Sequence, residues 1–171
     1  MKTKERDRGE LMNVLQIRWQ RLLDEKGRTC VRCGTTETTV EEAVNKLKGS
    51  LRGLGIDVAL EKSAISPSEF SKDTLQSNRI WINGIPIEEW LSATSGQSKC
   101  CTVCGESDCR TVTVGGKTYE AIPSELIVKA GLLAAAELLQ DKSVGPCCLS
   151  AEQPKGRSGC CTPTSLPSSI K

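Results

Sequence analysis

The segment Arg79-Ile80-Trp81-Ile82-Asn83-Gly84 decides the predicted fold of this 171-residue chain. An Asn-Gly pair directly after an apolar run is the strongest short signal for a β-hairpin with a tight turn. We therefore predict a strand that ends at Ile82 and a returning strand over residues 85–90. The segments on either side supply the rest of the predicted fold.

Two strands and two helices are predicted before this hairpin. Apolar and polar residues alternate within residues 14–23 and again over 56–61, as they do in half-buried strands. Between them, a capping box at 38–41 and helically spaced apolar residues predict a long helix that ends at a pair of glycines. The Ser-Pro-Ser-Glu pattern at 66–69 predicts a short helix.

A second hairpin and a last helix are predicted near the C-terminal end. Residues 111–122 have a hairpin pattern about Gly115-Gly116, and the apolar run over 125–139 indicates a buried helix. The whole order, strand, helix, strand, helix, strand, strand, helix, is that of a thioredoxin-like α/β domain, with a mixed sheet flanked by helices. The predicted boundaries are a disordered extension at 1–12, the domain at 13–140 with a cysteine-rich insertion at 92–110, and a disordered tail at 141–171.

Ten cysteines and no histidine dominate the available chemistry. The charged start of the chain does not resemble a secretory signal, and no apolar run reaches the roughly 20 residues of a membrane span, so we expect a cytoplasmic protein without a membrane partner. Cytoplasmic thiols stay reduced, which favours metal binding or redox chemistry over structural disulfides. The absence of histidine excludes Ser-His-Asp and Cys-His catalysis. The net charge of +2 and the few aromatics give no indication of a nucleic-acid partner.

Six cysteines lie in two groups that share a Cys-x-x-Cys-Gly pattern, Cys30-Val-Arg-Cys33-Gly34 and Cys101-Thr-Val-Cys104-Gly105. In the thioredoxin-like topology that this element order resembles, the third strand is antiparallel to the first, and the resemblance implies that both groups meet at one pole of the domain. Four thiolates suit tetrahedral zinc, and surplus thiols suit As(III) or Hg(II). We predict that a soft ion, zinc, arsenic or mercury, binds to a set of six residues: Cys30, Cys33, Cys100, Cys101, Cys104 and Cys109.

Three alternatives remain open for these cysteines. Cys30 and Cys33 would be the catalytic pair if the protein is an enzyme, which would then be a thiol-disulfide oxidoreductase. That chemistry needs a thiol at a helix N-terminus, whereas the capping box predicts a helix that begins only near Thr38. A structural zinc domain that binds another protein is the second alternative. Free cysteines also pack as small hydrophobes, but the charged residues among those at 100–109 do not resemble a core.

Six segments resemble a family of small prokaryotic proteins that is catalogued as a domain of unknown function and assigned a thioredoxin-like fold. The resemblance covers roughly residues 14–140, and it implies a fold but no activity. The segments that carry it are 19–22, 29–34, 77–84, 100–105, 109–112 and 119–123.

Two cysteine pairs in the tail, Cys147-Cys148 and Cys160-Cys161, resemble the paired-cysteine C-terminus of the arsenical metallochaperones of bacterial arsenic operons. The resemblance implies a secondary site for arsenic or a related ion. In this interpretation the tail would capture the ion, or deliver it to a protein acceptor, by thiolate exchange.

Overall fold

A computed structural model describes residues 13–100, 104 and 107–140 of the chain. Its main sheet has four strands in the order β2-β1-β3-β4. These strands are β1 (Asn13–Leu22), β2 (Ile56–Ile65), β3 (Arg79–Ile82) and β4 (Ile85–Pro86). β1 pairs in parallel with β2 and antiparallel with β3, and β3 pairs antiparallel with β4. The fold is therefore a mixed α/β arrangement, as predicted.

Two long helices cover the face of this sheet that carries the core. They are α1 (Val31–Leu51) and α4 (Ser124–Gln140), which pack against each other and against β1. The alternation along β1 puts Leu15, Ile17 and Trp19 into the shared core, whereas the residues between them are exposed. Because side chains alternate between the two faces of a strand, the pattern in the sequence fixes which face the helices cover.

Gly131 lies where α4 comes closest to α1. A Cβ atom at this position would lie 2.6 Å from Cδ1 of Leu47, whose side chain is fully buried and has little room to move. Gly49, in α1, has no atom within 4 Å of the corresponding position and is exposed. Both glycines lie in helices, but they differ in how closely another helix packs against them.

We expect Gly49→Ala to stabilise the protein, because alanine is a better helix former than glycine by about 1 kcal/mol. Gly131→Ala gains the same propensity but forces overpacking that costs about 1–3 kcal/mol, so it should be neutral or destabilising. Chemical denaturation of both variants measures the difference. Equal stabilisation by both substitutions would contradict the close packing of α1 and α4.

A smaller sheet lies beside the first. Its strands are β5 (Thr94–Lys99), β6 (Asp108–Val114) and β7 (Lys117–Tyr119), all antiparallel, in that order. The hairpin of β6 and β7 turns at Gly115 and Gly116, both with positive φ, as the sequence predicts. β5 was not predicted, and together with the start of β6 it places part of the expected cysteine-rich insertion at 92–110 in paired strands.

The described part of the chain also has two short α-helices, besides 3-10 turns at Arg52–Leu54 and Thr74–Gln76. α2 (Pro67–Lys72) begins with the predicted capping box, in which Ser66 and Glu69 each bond to the other's backbone N–H. The predicted returning strand over 85–90 is wrong beyond its first two residues, because α3 (Ile87–Leu91) begins directly after Pro86. Proline lacks the N–H that a strand would need and is well suited to a helix start.

The predicted start of the long helix near Thr38 is also wrong, since α1 begins at Val31 with Cys30 as its N-cap. The hydroxyl of Thr38, the predicted cap, donates to the carbonyl of Gly34 at 3.4 Å within the helix. The hydroxyl of Thr39 donates to the carbonyl of Ile122, 2.6 Å away, and the hydroxyl of the buried Thr36 accepts from the N–H of Ile122. The predicted cap is therefore a residue inside the helix, and its neighbours Thr36 and Thr39 make the tertiary contacts.

Among the residues that the structure describes, no helix has both the length and the apolar character needed to cross a membrane. The predicted extension at 1–12 and tail at 141–171 lie outside the described residues.

Candidate metal centre

Four cysteine sulfurs meet beside the N-terminus of α1. The Sγ atoms of Cys30, Cys100, Cys104 and Cys109 all lie within 4.8 Å of one another. Cys30 and Cys100 are 70 positions apart in the sequence, so the fold and not the local chain brings them together. The meeting of the two cysteine groups at one pole, expected from the topology, is present.

Secondary structure fixes three of these four residues. Cys30 directly precedes α1 and serves as its N-cap. Cys109 lies in β6, where it pairs with Ser98 of β5. Cys100 follows Lys99, the last residue of β5, so the pairing of β5 with β6 brings Cys100 next to Cys109. The Sγ atoms of Cys104 and Cys109 lie 3.0 Å apart.

The Arg32 side chain ties the two cysteine segments together. Its guanidinium donates to the Ser98 carbonyl at 3.2 Å, to the Ser98 hydroxyl at 2.9 Å and to the Lys99 carbonyl. It also forms an ion pair with Glu120 at 2.8 Å, although its side chain is only 14% exposed. Planar guanidinium groups are well suited to several fixed bonds of this kind. Arg32 therefore holds the end of β5 against the start of α1.

Asn78 extends this support into the core. Its amide oxygen accepts from the indole N–H of Trp19 at 3.2 Å, and its amide nitrogen donates to the Glu120 carbonyl at 3.2 Å. The residue has a φ of 56°, a conformation that asparagine tolerates better than most residues. Neither Arg32 nor Asn78 was singled out in the sequence, because their partners lie 42 to 88 positions away.

The remaining predicted site residues fall into two groups. Cys33 is buried in the first turn of α1 and lies outside the four-sulfur group; its Sγ is 3.6 Å from the hydroxyl of Ser77. The other five predicted residues lie outside the described part of the chain, and they are Cys101, Cys147, Cys148, Cys160 and Cys161.

Electrostatics divides the thiols into one that ionises readily and others that do not. Hydrogen bonds from the thiols of Cys109 and Cys33, with help from the Cys33 backbone N–H, lower the pKa of Cys30. The bond to Cys30 and burial raise the pKa of both Cys109 and Cys33. Burial raises the pKa of Cys104 to about 12. Without an ion, the cluster thus carries its negative charge on Cys30, where the positive end of the α1 dipole favours it.

A buried ion pair joins β6 to α3. Arg110, the neighbour of Cys109 on β6, bonds to Glu88 of α3 through Nε at 3.2 Å and through Nη2. Its remaining donors bond to the Leu75 carbonyl at 2.9 Å and to the Ser95 hydroxyl at 2.6 Å. This pair fastens the smaller sheet to the rest of the domain.

Comparison with known proteins identifies the family. A model of the family described as a domain of unknown function (DUF2703) matches residues 15–131. The chain belongs to the DUF2703 family. It is also 39% identical over 113 residues to an uncharacterized protein of Archaeoglobus fulgidus, which corresponds to 66% of this chain and 82% of the relative. No solved structure matches the chain.

The DUF2703 match contains the complete four-sulfur cluster and also Cys33 and Arg32. It ends before the tail, so the cysteine pairs at 147–148 and 160–161 lie beyond it. The family description names no activity, and the function must be argued from the site itself.

Proposed function

We propose that this DUF2703 protein binds one soft metal or metalloid ion through Cys30, Cys100, Cys104 and Cys109. The observation that carries the proposal is the convergence of their sulfurs within 4.8 Å from two distant segments. Thiolates select soft ions such as Zn(II), Hg(II) and As(III) over hard ones. A protein without histidine offers no imidazole alternative.

The geometry of the cluster favours zinc for the complete four-sulfur set. A tetrahedral zinc ion has Zn–S bonds of about 2.3 Å, which implies sulfur-sulfur distances of about 3.8 Å. The limit of 4.8 Å accommodates this tetrahedron, and a widening of the 3.0 Å contact between Cys104 and Cys109 would complete it. As(III) needs only three of the four sulfurs.

Native mass spectrometry with elemental analysis tests the proposal on full-length protein purified under reducing conditions. We expect one ion per chain, zinc in an unchallenged cell and arsenic or mercury after exposure to them. A protein that carries no ion and takes up none of the three when they are offered would refute the proposal.

Proton release on binding follows from the pKa order of the thiols. Cys30 meets the ion as a thiolate because its pKa is lowered, whereas Cys104 and Cys109, whose pKa values are raised, must each lose a proton. We expect zinc binding near pH 7 to release at least about two protons, so that affinity rises with pH. Calorimetry in buffers of different ionisation enthalpy measures this number. Release of fewer than two protons would contradict the pKa order.

A role in arsenic or mercury resistance, with transfer of the ion, is the wider proposal. The tail pairs Cys147-Cys148 and Cys160-Cys161 would capture the ion or deliver it to a protein acceptor. A cytoplasmic location fits, because the thiols must stay reduced. Replacing the four tail cysteines by serine should slow transfer of the ion to an acceptor dithiol while one tight site remains. An unchanged transfer rate would show that the tail cysteines take no part in transfer.

A thiol-disulfide oxidoreductase is the second candidate, and one observation favours it. Cys30 is the N-cap of α1, with Cys33 in the first turn, so the helix dipole reaches the pair as a redox thiol requires. The strand order β2-β1-β3-β4 supports the thioredoxin-like assignment on which this candidate depends. Turnover of a disulfide substrate that is lost in Cys30→Ser would establish it.

A structural zinc domain that binds another protein is the third candidate, and it shares the four-sulfur site. It differs from the first in kinetics, since a closed structural site exchanges its ion slowly. One zinc ion that resists exchange with added arsenite would favour it.

A further inference from the structure

The four sulfurs of the candidate centre are not equally enclosed. Cys30 is 3% exposed, Cys104 is 6% exposed and Cys109 is 3% exposed. Cys100, in contrast, is partly exposed and packs at the edge of the core. An ion held by all four ligands would therefore be reached from solvent on the Cys100 side.

The attachments of Cys30, Cys109 and Cys100 to the fold also differ. Cys30 is continuous with a 21-residue helix, and Cys109 lies inside a paired strand. Cys100 follows the end of β5, and the Arg32 side chain bonds to the two residues before it, in addition to the pairing of β5 with β6. The strand end that carries Cys100 is thus held by Arg32 as well as by strand pairing, so that loss of the Arg32 bonds would loosen this end.

We propose, on the basis of the proposed function, that Cys100 is the exchangeable ligand through which the ion enters and leaves. Cys30, Cys104 and Cys109 form a buried three-sulfur seat that retains the ion during exchange. Arg32 is a positioning residue that sets how readily Cys100 moves away. The same seat provides the three thiolates that As(III) requires, so loss of Cys100 shifts the preference of the site from zinc towards arsenic.

The exchange step is a ligand substitution without redox change. The sulfur of an incoming thiol forms a bond to the ion as the bond between the ion and the Cys100 sulfur breaks. The proton released by the incoming thiol passes to Cys100. The ion and both sulfurs keep their oxidation states, and the remaining three ion-sulfur bonds persist throughout.

Paired serine variants separate the two kinds of ligand. Cys100→Ser and Cys109→Ser are each made in a Cys101→Ser background, so that the thiol next in sequence cannot replace Cys100. The probes are arsenite and zinc, and the readouts are stoichiometry by native mass spectrometry and affinity by competition with a small dithiol or a chelator.

We expect the Cys100→Ser protein to bind one As(III) as tightly as its parent while zinc binding weakens. The Cys109→Ser protein should lose As(III) affinity by more than the roughly 100-fold that removal of an outer-shell partner costs. Equal loss of As(III) in both variants would overturn the proposal. If the parent binds neither probe, the proposed function itself fails, which is a separate result.

The role of Arg32 in positioning Cys100 is tested by the rate of ion release. Arg32→Met should keep one zinc per chain but release it to a chelator about tenfold faster, in line with the loss of an outer-shell partner. Arg28→Met is the matched control, because the Arg28 guanidinium bonds to Asp24 at an exposed position near the same helix. Its release rate should equal that of the parent. An unchanged rate in Arg32→Met, or equal acceleration in both variants, would exclude Arg32 from the role.

Discussion

Cys30→Ser should abolish tight zinc binding, whereas Cys33→Ser should leave one zinc per chain. The two thiols belong to the same Cys-x-x-Cys motif, and both are buried. Only Cys30 lies in the four-sulfur group, while Cys33 lies next to Ser77. The pair therefore separates ligation from general damage, since a serine at either position removes a buried thiol from the same helical turn.

Thermal unfolding with and without zinc gives a second readout of this pair. An ion that binds only the folded state adds about 4 kcal/mol at a concentration 1,000 times its dissociation constant. The wild-type protein and Cys33→Ser should gain this stability, and Cys30→Ser should not. Loss of the zinc effect in Cys33→Ser alone, or its retention in Cys30→Ser, would contradict the ligand assignment.

Arg110→Met should lower the free energy of unfolding by about 3–5 kcal/mol, the usual cost of leaving a buried charge without its partner. The side chains of Arg110 and Glu88 are only 5% and 9% exposed, and within the described part of the chain Glu88 Oε2 is already buried without a hydrogen-bond partner. Without Arg110, the Glu88 carboxylate loses this ion-pair partner, and the Leu75 carbonyl and Ser95 hydroxyl lose a donor.

The double variant Glu88→Leu with Arg110→Met tests the cause. Replacing both charges by apolar groups is often neutral or stabilising, so the double variant should be more stable than Arg110→Met alone. Denaturant titration measures the three proteins under identical conditions. A double variant that is less stable than Arg110→Met would show that the pair acts through its shape and not through the unpaired charge.

Much of the fold could be predicted because the short sequence patterns agree with the tertiary structure. The Asn83-Gly84 turn, the capping box at Ser66 and the Gly115-Gly116 hairpin all form as predicted. The predicted start of the long helix is wrong because the pattern at 38–41 also fits the interior of a helix. Thr38, the predicted cap, lies inside α1, where its hydroxyl bonds to the Gly34 carbonyl.

The sequence of the unpredicted strand β5 lacks the pattern from which strands are predicted. Its sequence, Thr-Ser-Gly-Gln-Ser-Lys, contains no apolar residue, and its burial pattern has no buried position. Strand prediction relies on apolar alternation, which an edge strand outside the core does not need. Pairing with β6 is what makes it a strand, and that pairing spans the cysteine-rich segment.

For the site, the sequence indicated the chemistry but not which residues come together. The number and spacing of the cysteines indicated a thiolate site, and the predicted strand directions indicated that the two groups would meet. Which sulfurs complete the group was not readable, because one turn of helix separates Cys30 from Cys33 and only the tertiary fold tells them apart. The bonds of Arg32 could not be predicted either, since its partners lie in β5 and after β7 and only the fold brings them together.

X-ray absorption spectroscopy of a zinc-loaded variant tests the central claim most directly. In this variant only Cys30, Cys100, Cys104 and Cys109 are kept, and the other six of the ten cysteines are serine. We predict a single shell of four sulfurs at about 2.3 Å from zinc, the distance for thiolate ligands. A shell with fewer than four sulfurs, or one completed by oxygen, would contradict the assignment of these four residues to one centre.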